Sequence, residues 1–181
     1  LSGGMLHDVS KGFYNASISN YIDENFDLND LTNYTLNNAS VGIFQPAPGD
    51  SLNTRRNVGI KDGTNNMAII LSKIGANSYF TINHGGTSVY GSAFKNTGTH
   101  IVCRESESSV KIYEDGSAMA VSAGSGYLSN GIPVGNVFSF TSNGDNVPTS
   151  NYISILFFGR SFTATEAADI TTAIETYLNS I

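Results

Sequence analysis

The sequence predicts an all-β sandwich closed by one C-terminal helix, and three observations carry that prediction. Short apolar or alternating segments recur along the 181-residue chain with turn residues between them, the pattern of many short strands. A tight hairpin is legible from Val110 to Val121, where Val110 and Ile112 alternate with Lys111 and Tyr113 and Asp115-Gly116 supplies the positive φ angles of a two-residue turn. One amphipathic helix pattern closes the chain, and its apolar stripe must be buried on a sheet.

The elements follow in order. Residues 1–20 form an opening segment with little pattern, in which Gly3-Gly4 marks a flexible junction and Phe13, Tyr14 and Ile18 anchor a first strand. Tyr21 to Asn33 gathers Asp23, Glu24, Asp27 and Asp30 and reads as a loop. Val41 to Phe44 is a short strand that stops before Pro46 and Pro48, and Met67 to Leu71 reads as a buried strand. Ser78 to Ile82 sets Tyr79 and Thr81 against Phe80 and Ile82; the chain then turns at Asn83 to Gly86 and pairs back over Ser88 to Tyr90. Thr99 to Arg104 leads into the hairpin, whose return strand is Ala118 to Val121. Tyr127 to Gly135 is loop-like. Over Val137 to Thr141 the alternation points Phe138 and Phe140 at the core. Ile153 to Phe158 is nearly continuous in apolar residues and reads as a central strand covered on both faces, one of them by the helix. Gly159 lets the chain turn out of that strand, and Arg160 is placed to pair with Glu166. Thr163 and Glu166 form a Thr-x-x-Glu capping box, after which Ala167, Ile170, Ile174, Tyr177, Leu178 and Ile181 share a helical face. The expected organisation is a single domain over 1–181, with the helix at 163–180. The start at Leu1 reads as a fragment of a longer polypeptide.

Composition narrows the function classes. Hydrophobic residues make up 40% and charged residues only 13%, a balance common in extracellular β-proteins. A formal net charge of −6 argues against neutralising a phosphate backbone, so no nucleic acid is expected. No apolar run approaches the roughly 18 residues of a membrane helix, so no membrane insertion is expected. Cys103 is the lone cysteine and allows no intrachain disulfide; without a paired histidine motif it reads as a small buried side chain.

An arginine-bearing strand with Arg104, a Tyr-x-Asp-Gly hairpin with Tyr113, Asp115 and Gly116, a strand ending Phe158-Gly159-Arg160, and Phe162-Thr163 three residues before Glu166 stand in sequence. This stretch, Thr99 to Ile181, resembles the concanavalin A-like (LamG-like) jelly-roll modules of phage tail fibres and secreted bacterial proteins. TLNNASVGIFQ and ANSYFTINHGG are similar in kind to earlier strands of such modules. The resemblance implies a jelly-roll sandwich used for recognition or adhesion. It implies a place on a virion surface or outside the cell, with a cell-surface glycan or receptor and other virion or surface subunits as partners. A homotrimer would be the assembly of a tail fibre.

Many hydrolases share that fold, so chemistry has to be sought in motifs. A retaining glycosidase needs two carboxyl groups about 5 Å apart, and laminarinase-like enzymes carry them as Glu-x-Asp-x-x-Glu on one strand. Glu105-Ser106-Glu107 comes nearest, with both glutamates on one strand face, but Glu107 stands in the aspartate position and Val110 in that of the third acid. The pair reads either as a divergent dyad or as strand-end charge. The Gln-x-His of polysaccharide lyases is absent, the one glutamine being Gln45. The acidic stretch carries Asp23, Asp27 and Asp30 as candidate calcium ligands; its spacing is not that of an EF-hand, and a solvated turn is the alternative. Sugar recognition needs an aromatic face and a few amides or carboxylates. Nine tyrosines supply the first, though no tryptophan does. The candidate ligand contacts are the loop residues His84, Tyr90, Asn143, Asp145 and Asn146, with Tyr127 and Arg55 as outsiders. Asn15, Asn33 and Asn38 open Asn-x-Ser/Thr sequons. The expectation is a non-catalytic, glycan-binding module; a structural assembly module and a divergent hydrolase or lyase are the alternatives. An exposed aromatic shelf beside Asn and Asp would favour glycan recognition.

Overall fold

The structure, a computed structural model, describes residues 5–8, 12–15, 21–47, 57–63, 66–74, 77–84, 89–92, 95, 97–122, 127–141 and 152–180. In chain order its elements are Met5–Asp8 (β1), Gly12–Asn15 (β2), Ile22–Asp27 (β3), Ala39–Gln45 (β4), Val58–Lys61 (β5), Asn66–Ile74 (β6), Asn77–His84 (β7), Val89–Ser92 (β8), Gly98–Arg104 (β9), Val110–Glu114 (β10), Ser117–Ala118 (β11), Val121–Ser122 (β12), Asn136–Ser139 (β13), Tyr152–Ile153 (β14), Ile155–Gly159 (β15) and the helix Ala164–Leu178 (α1). They form a five-stranded sheet in the order β11-β10-β9-β4-β15, a seven-stranded sheet in the order β12-β8-β7-β6-β5-β13-β3, and a small sheet β1-β2-β14. The pairings are antiparallel throughout.

Period-two alternation decides the layers. Val41, Ile43, Val102, Val110 and Ile112 point from the five-stranded sheet into a core shared with Val58, Ile60, Phe80, Ile82 and Val137 of the seven-stranded sheet. The intervening positions of the five-stranded sheet, Ile101, Cys103 and Tyr113, meet Ala167 of α1 in a second cluster with Phe157, Phe162 and Ile170. The five-stranded sheet is thus covered on both faces, which is why Ile101 and Cys103 on one side and Val102 on the other are all apolar.

The hairpin and the helix form as their sequences predict. Asp115 and Gly116 both adopt positive φ, 48° and 76°, as a two-residue hairpin turn requires. A Cβ on Gly116 would lie 2.8 Å from Ala168 Cα, so the turn also needs glycine for the close approach of α1. Thr163 caps the helix: its hydroxyl accepts from Glu166 N–H, and the Glu166 carboxylate accepts from Thr163 N–H at 2.9 Å. Arg160 pairs with Glu166.

Other expectations change. The acidic stretch is not a loop: residues 22–27 form an edge strand, and Leu28–Asp30 a short 3-10 turn capped by Asp27. The hairpin's return strand ends after Ala118, and Val121–Ser122 crosses to pair with β8 in the other sheet. β15 is an edge strand rather than a central one, although both its faces are covered, Leu156 and Phe158 by the main core and Phe157 by the helix cluster. Gly159 lies outside the positive-φ set, and a Cβ there would meet open space. Tyr177 is 60% exposed, and Thr171 takes an inward place on α1 instead. Ile18 and Ile181 lie outside the described residues. Phe138 points away from the core: Val137 and Ser139 are the inward positions of β13, and Phe140 is buried only after the strand has ended, at φ 67°.

Candidate functional site

The helix seals the outer face of the five-stranded sheet; on the outer face of the seven-stranded one Gly59 and Thr81 are buried, while Tyr21, Asp23 and Asn25 at the β3 end are exposed. β3, β13 and β5 present that face through their outward positions. Phe138 is the register partner of Asp23 on one side and of Gly59 on the other. Tyr21, which shares the parity of Asp23, lays its ring on Phe138 with centroids 4.4 Å apart and planes 9° from parallel. Tyr21 is 40% exposed, so the pair forms an aromatic shelf in contact with solvent. Polar groups border it: Asp23 Oδ1 accepts from Asn25 N–H at 2.8 Å, and Asp23 Oδ2 accepts from Asn136 Nδ2 at 3.2 Å. This shelf was missed in the sequence, where Tyr21 was read as the start of an acidic loop and Phe138 as core. The signal available was the alternation of Tyr21, Asp23 and Asn25 with Ile22, Glu24 and Phe26.

The remaining acids have structural partners. Asp27 accepts from Asn29 N–H and Gly135 N–H, and Asp62 accepts from Val134 N–H; both pin the 133–135 segment beside the shelf. Partial burial opposes the charge on Asp27, but the hydrogen bonds from Asn29 and Gly135 outweigh it and hold the carboxyl below its usual range. Among the described residues, no three His, Cys, Asp or Glu side chains gather as a metal site would require. Asp23, Asp27 and Asp30 therefore do not form such a group by themselves.

His84 ends β7 at the rim of the sandwich. Its Nδ1 donates to Leu128 O at 2.6 Å and its ring leans on Tyr127 at 4.3 Å. Behind it lies a buried polar network. Tyr127 Oη accepts from Ile82 N–H at 2.9 Å, Tyr34 Oη donates to Asn83 Oδ1 at 2.9 Å, and Asn83 Nδ2 donates to Thr35 O and Leu36 O. Arg104 is fully buried in it. Its Nε donates to Ile82 O and its Nη1 to Ser106 O and Glu107 O, with the guanidinium 4.9 Å from the Tyr127 ring centroid. Burial raises the Tyr34 and Tyr127 phenols and lowers the Arg104 guanidinium. Of the other sequence candidates, Tyr90 lies on β8 as the register partner of Tyr79. Asn143, Asp145, Asn146 and Arg55 lie outside the described residues.

The glutamate pair does not share a strand face. β9 ends at Arg104, and Glu105 and Glu107 follow in the 105–109 turn. Glu105 is held by Lys111 at 2.8 Å and by Ser109, and Glu107 is exposed. Burial pushes the Cys103 thiol up to about 12, and its Sγ accepts from Phe162 N–H; a thiol so placed is not a nucleophile at neutral pH. His100, on the core face of β9, is depressed to about 4 by burial, so it is neutral at pH 7 with Nε2–H donating to Thr97 O.

No family model and no curated protein sequence matches the chain. Solved structures do. A Ruminococcus gnavus IT-sialidase CBM40, bound to α2,3-sialyllactose, superposes with TM-score 0.64 at 13% identity, covering 94% of this chain and 98% of that one. The fold is a concanavalin A-like jelly-roll sandwich with a C-terminal helix. The K499G mutant of NanB sialidase from Streptococcus pneumoniae matches over 92% of this chain and 27% of its own length, with TM-score 0.56 and 14% identity. Domain 4 of AbnA, a GH43 extracellular arabinanase from Geobacillus stearothermophilus, in complex with arabinotriose, matches with TM-score 0.52 and 14% identity over 75% of this chain and 66% of that one.

Proposed function

We propose that the chain is a non-catalytic carbohydrate-recognition module that holds a glycan on the outer face of its seven-stranded sheet, at the exposed β3–β13 end. The observation that carries this reading is the Tyr21–Phe138 shelf, solvent-facing and bordered by Asp23 and Asn136. An aromatic face takes the C–H side of a sugar ring while neighbouring carboxylates and amides take its hydroxyls. Two modules of like fold, from Ruminococcus gnavus and Geobacillus stearothermophilus, carry oligosaccharides in their structures, which supports the class of ligand. Tyr90 and His84, with Asn143, Asp145 and Asn146 from the segment after β13, are the further contacts in this proposal. Display on a virion or outside the cell, as a single domain and as a trimer if in a tail fibre, is the setting the resemblance suggests.

A glycan-array screen of the purified chain, with calcium and with chelator, tests the reading. The expected result is binding to one glycan class that weakens about tenfold in Tyr21→Ala and is unchanged in Tyr177→Ala, which alters the helix side. Calcium dependence would bring in Asp23, Asp27 and Asp30. Silence across an array whose control lectins bind overturns it in favour of an assembly module, and binding indifferent to Tyr21→Ala and Phe138→Ala overturns the shelf as its site.

A further inference from the structure

β3 and β15 are the terminal strands of their two sheets; they meet where Phe26 packs edge-on against Phe158 at 5.3 Å and part toward Ile22, Glu24 and Leu156. A cleft of about 420 Å³ lies there, roofed by the small sheet. Its walls are aliphatic, from Ile22, Ile153 and Leu156, and Phe13 forms a rim that is 37% exposed. Among the described residues of the lining, Glu24 is the one ionisable side chain. The Ser139 hydroxyl donates to Glu24 Oε1, and no described residue donates to Oε2. Phe140, at 1% exposure, completes the wall from a left-handed backbone at φ 67°, a conformation that a bulky residue adopts only under constraint.

We propose that this cleft is a second binding site, separate from the shelf, for a small organic ammonium ion with an apolar body. The volume falls in the range of small-molecule pockets, which are mostly apolar with a few placed polar groups. A carboxylate in an apolar lining selects a cation, because an ammonium group gives its second oxygen a charge-assisted hydrogen bond that an uncharged ligand does not match in strength. Ser139 fixes the carboxylate, and the strained Phe140 holds the wall in place before a ligand arrives.

Phenethylammonium and the uncharged 2-phenylethanol separate the charge from the apolar body. Each is titrated into the full chain at millimolar concentration and followed by saturation-transfer NMR. The expected result is saturable binding of phenethylammonium, about tenfold tighter than 2-phenylethanol, with that preference lost in Glu24→Gln. The conservative amide keeps the Ser139 contact, and an unchanged circular dichroism spectrum confirms the fold. Ile153→Phe, which fills the cleft, abolishes binding of both probes. Equal binding of the two probes by the wild type, a preference that survives Glu24→Gln, or no saturable binding of phenethylammonium each overturns the proposal.

Discussion

Alanine at Gly42 tests the seal between sheet and helix. Gly42 lies on β4 with backbone angles open to any residue, so the substitution probes space alone. The new Cβ would sit 2.0 Å from Phe157 Cζ and 2.3 and 2.7 Å from the two Cε atoms, whereas carbon contacts settle near 3.5–4 Å. Strand backbone cannot yield that far, so the ring must. To do so Phe157 leaves Ile101, Cys103, Tyr113 and Ala167 and gives up its edge-on contact with Phe162 at 6.0 Å. Expelling a fully buried phenylalanine costs roughly 1.5–3 kcal/mol; this ring is half-buried, which leaves about 1 kcal/mol, and the lost edge-on contact adds about 1 kcal/mol, for an expected loss of about 2 kcal/mol. Phe157→Ala costs about 3 kcal/mol through its cavity. With the ring gone the methyl has room, so the double variant should cost about 3 kcal/mol rather than the about 5 of simple addition. Urea unfolding of the wild type and the three variants measures this cycle at constant m-value. Additivity within about 0.5 kcal/mol would show that ring and glycine do not share that space. Under the proposed function, all three variants should match the wild type on the glycan array below their unfolding transitions, since the shelf lies on the opposite sheet.

Three further outcomes follow from the same geometry. Because the folded pKa of His100 is depressed to about 4 from 6.5 by burial, the unfolded chain binds the extra proton. Stability from this residue is full above pH 6.5 and falls by about 3 kcal/mol as pH drops to 4; His100→Gln should flatten that limb of a urea-midpoint profile. Glu166 is held at about 2, below the ordinary 4.5, by Arg160 first and then by Thr163, so its contribution is present above pH 4.5 and lost as pH falls through about 2. Thr163→Ala should cost about 1 kcal/mol, and the stability gap between wild type and Glu166→Gln should close at low pH. Gly116→Ala should cost at least about 2 kcal/mol by thermal unfolding, because φ 76° strains an L-residue and the methyl meets Ala168.

What was legible in the sequence was local. The Asp115-Gly116 turn and the Thr163–Glu166 box depend on residues a few positions apart, and both stand as read. The register of distant strands is not written locally. The alternation in residues 137–141 defined two faces, but the core is chosen by what β5 and β3 bring to them. Val137 faces inward with Val58 and Ile60, so the larger Phe138 is left outside to meet Tyr21. Arg104 escaped for a similar reason. Its burial depends on carbonyls at 82, 106 and 107, which no spacing in THIVCRE announces.

The order of the strands has a consequence for synthesis. β4 is flanked by β9 and β15, and Ile155 must reach Phe44; β3 likewise waits for β13, where Ile22 meets Ser139. Neither sheet can close until most of the chain has left the ribosome, and pairings so far apart in sequence fold slowly. In the interval ASVGIFQ of β4, almost wholly buried once folded, presents a bare edge to other nascent chains. The period of greatest aggregation risk therefore ends only when residues 155–159 dock, and expression at low temperature or with a holding chaperone should raise the soluble yield.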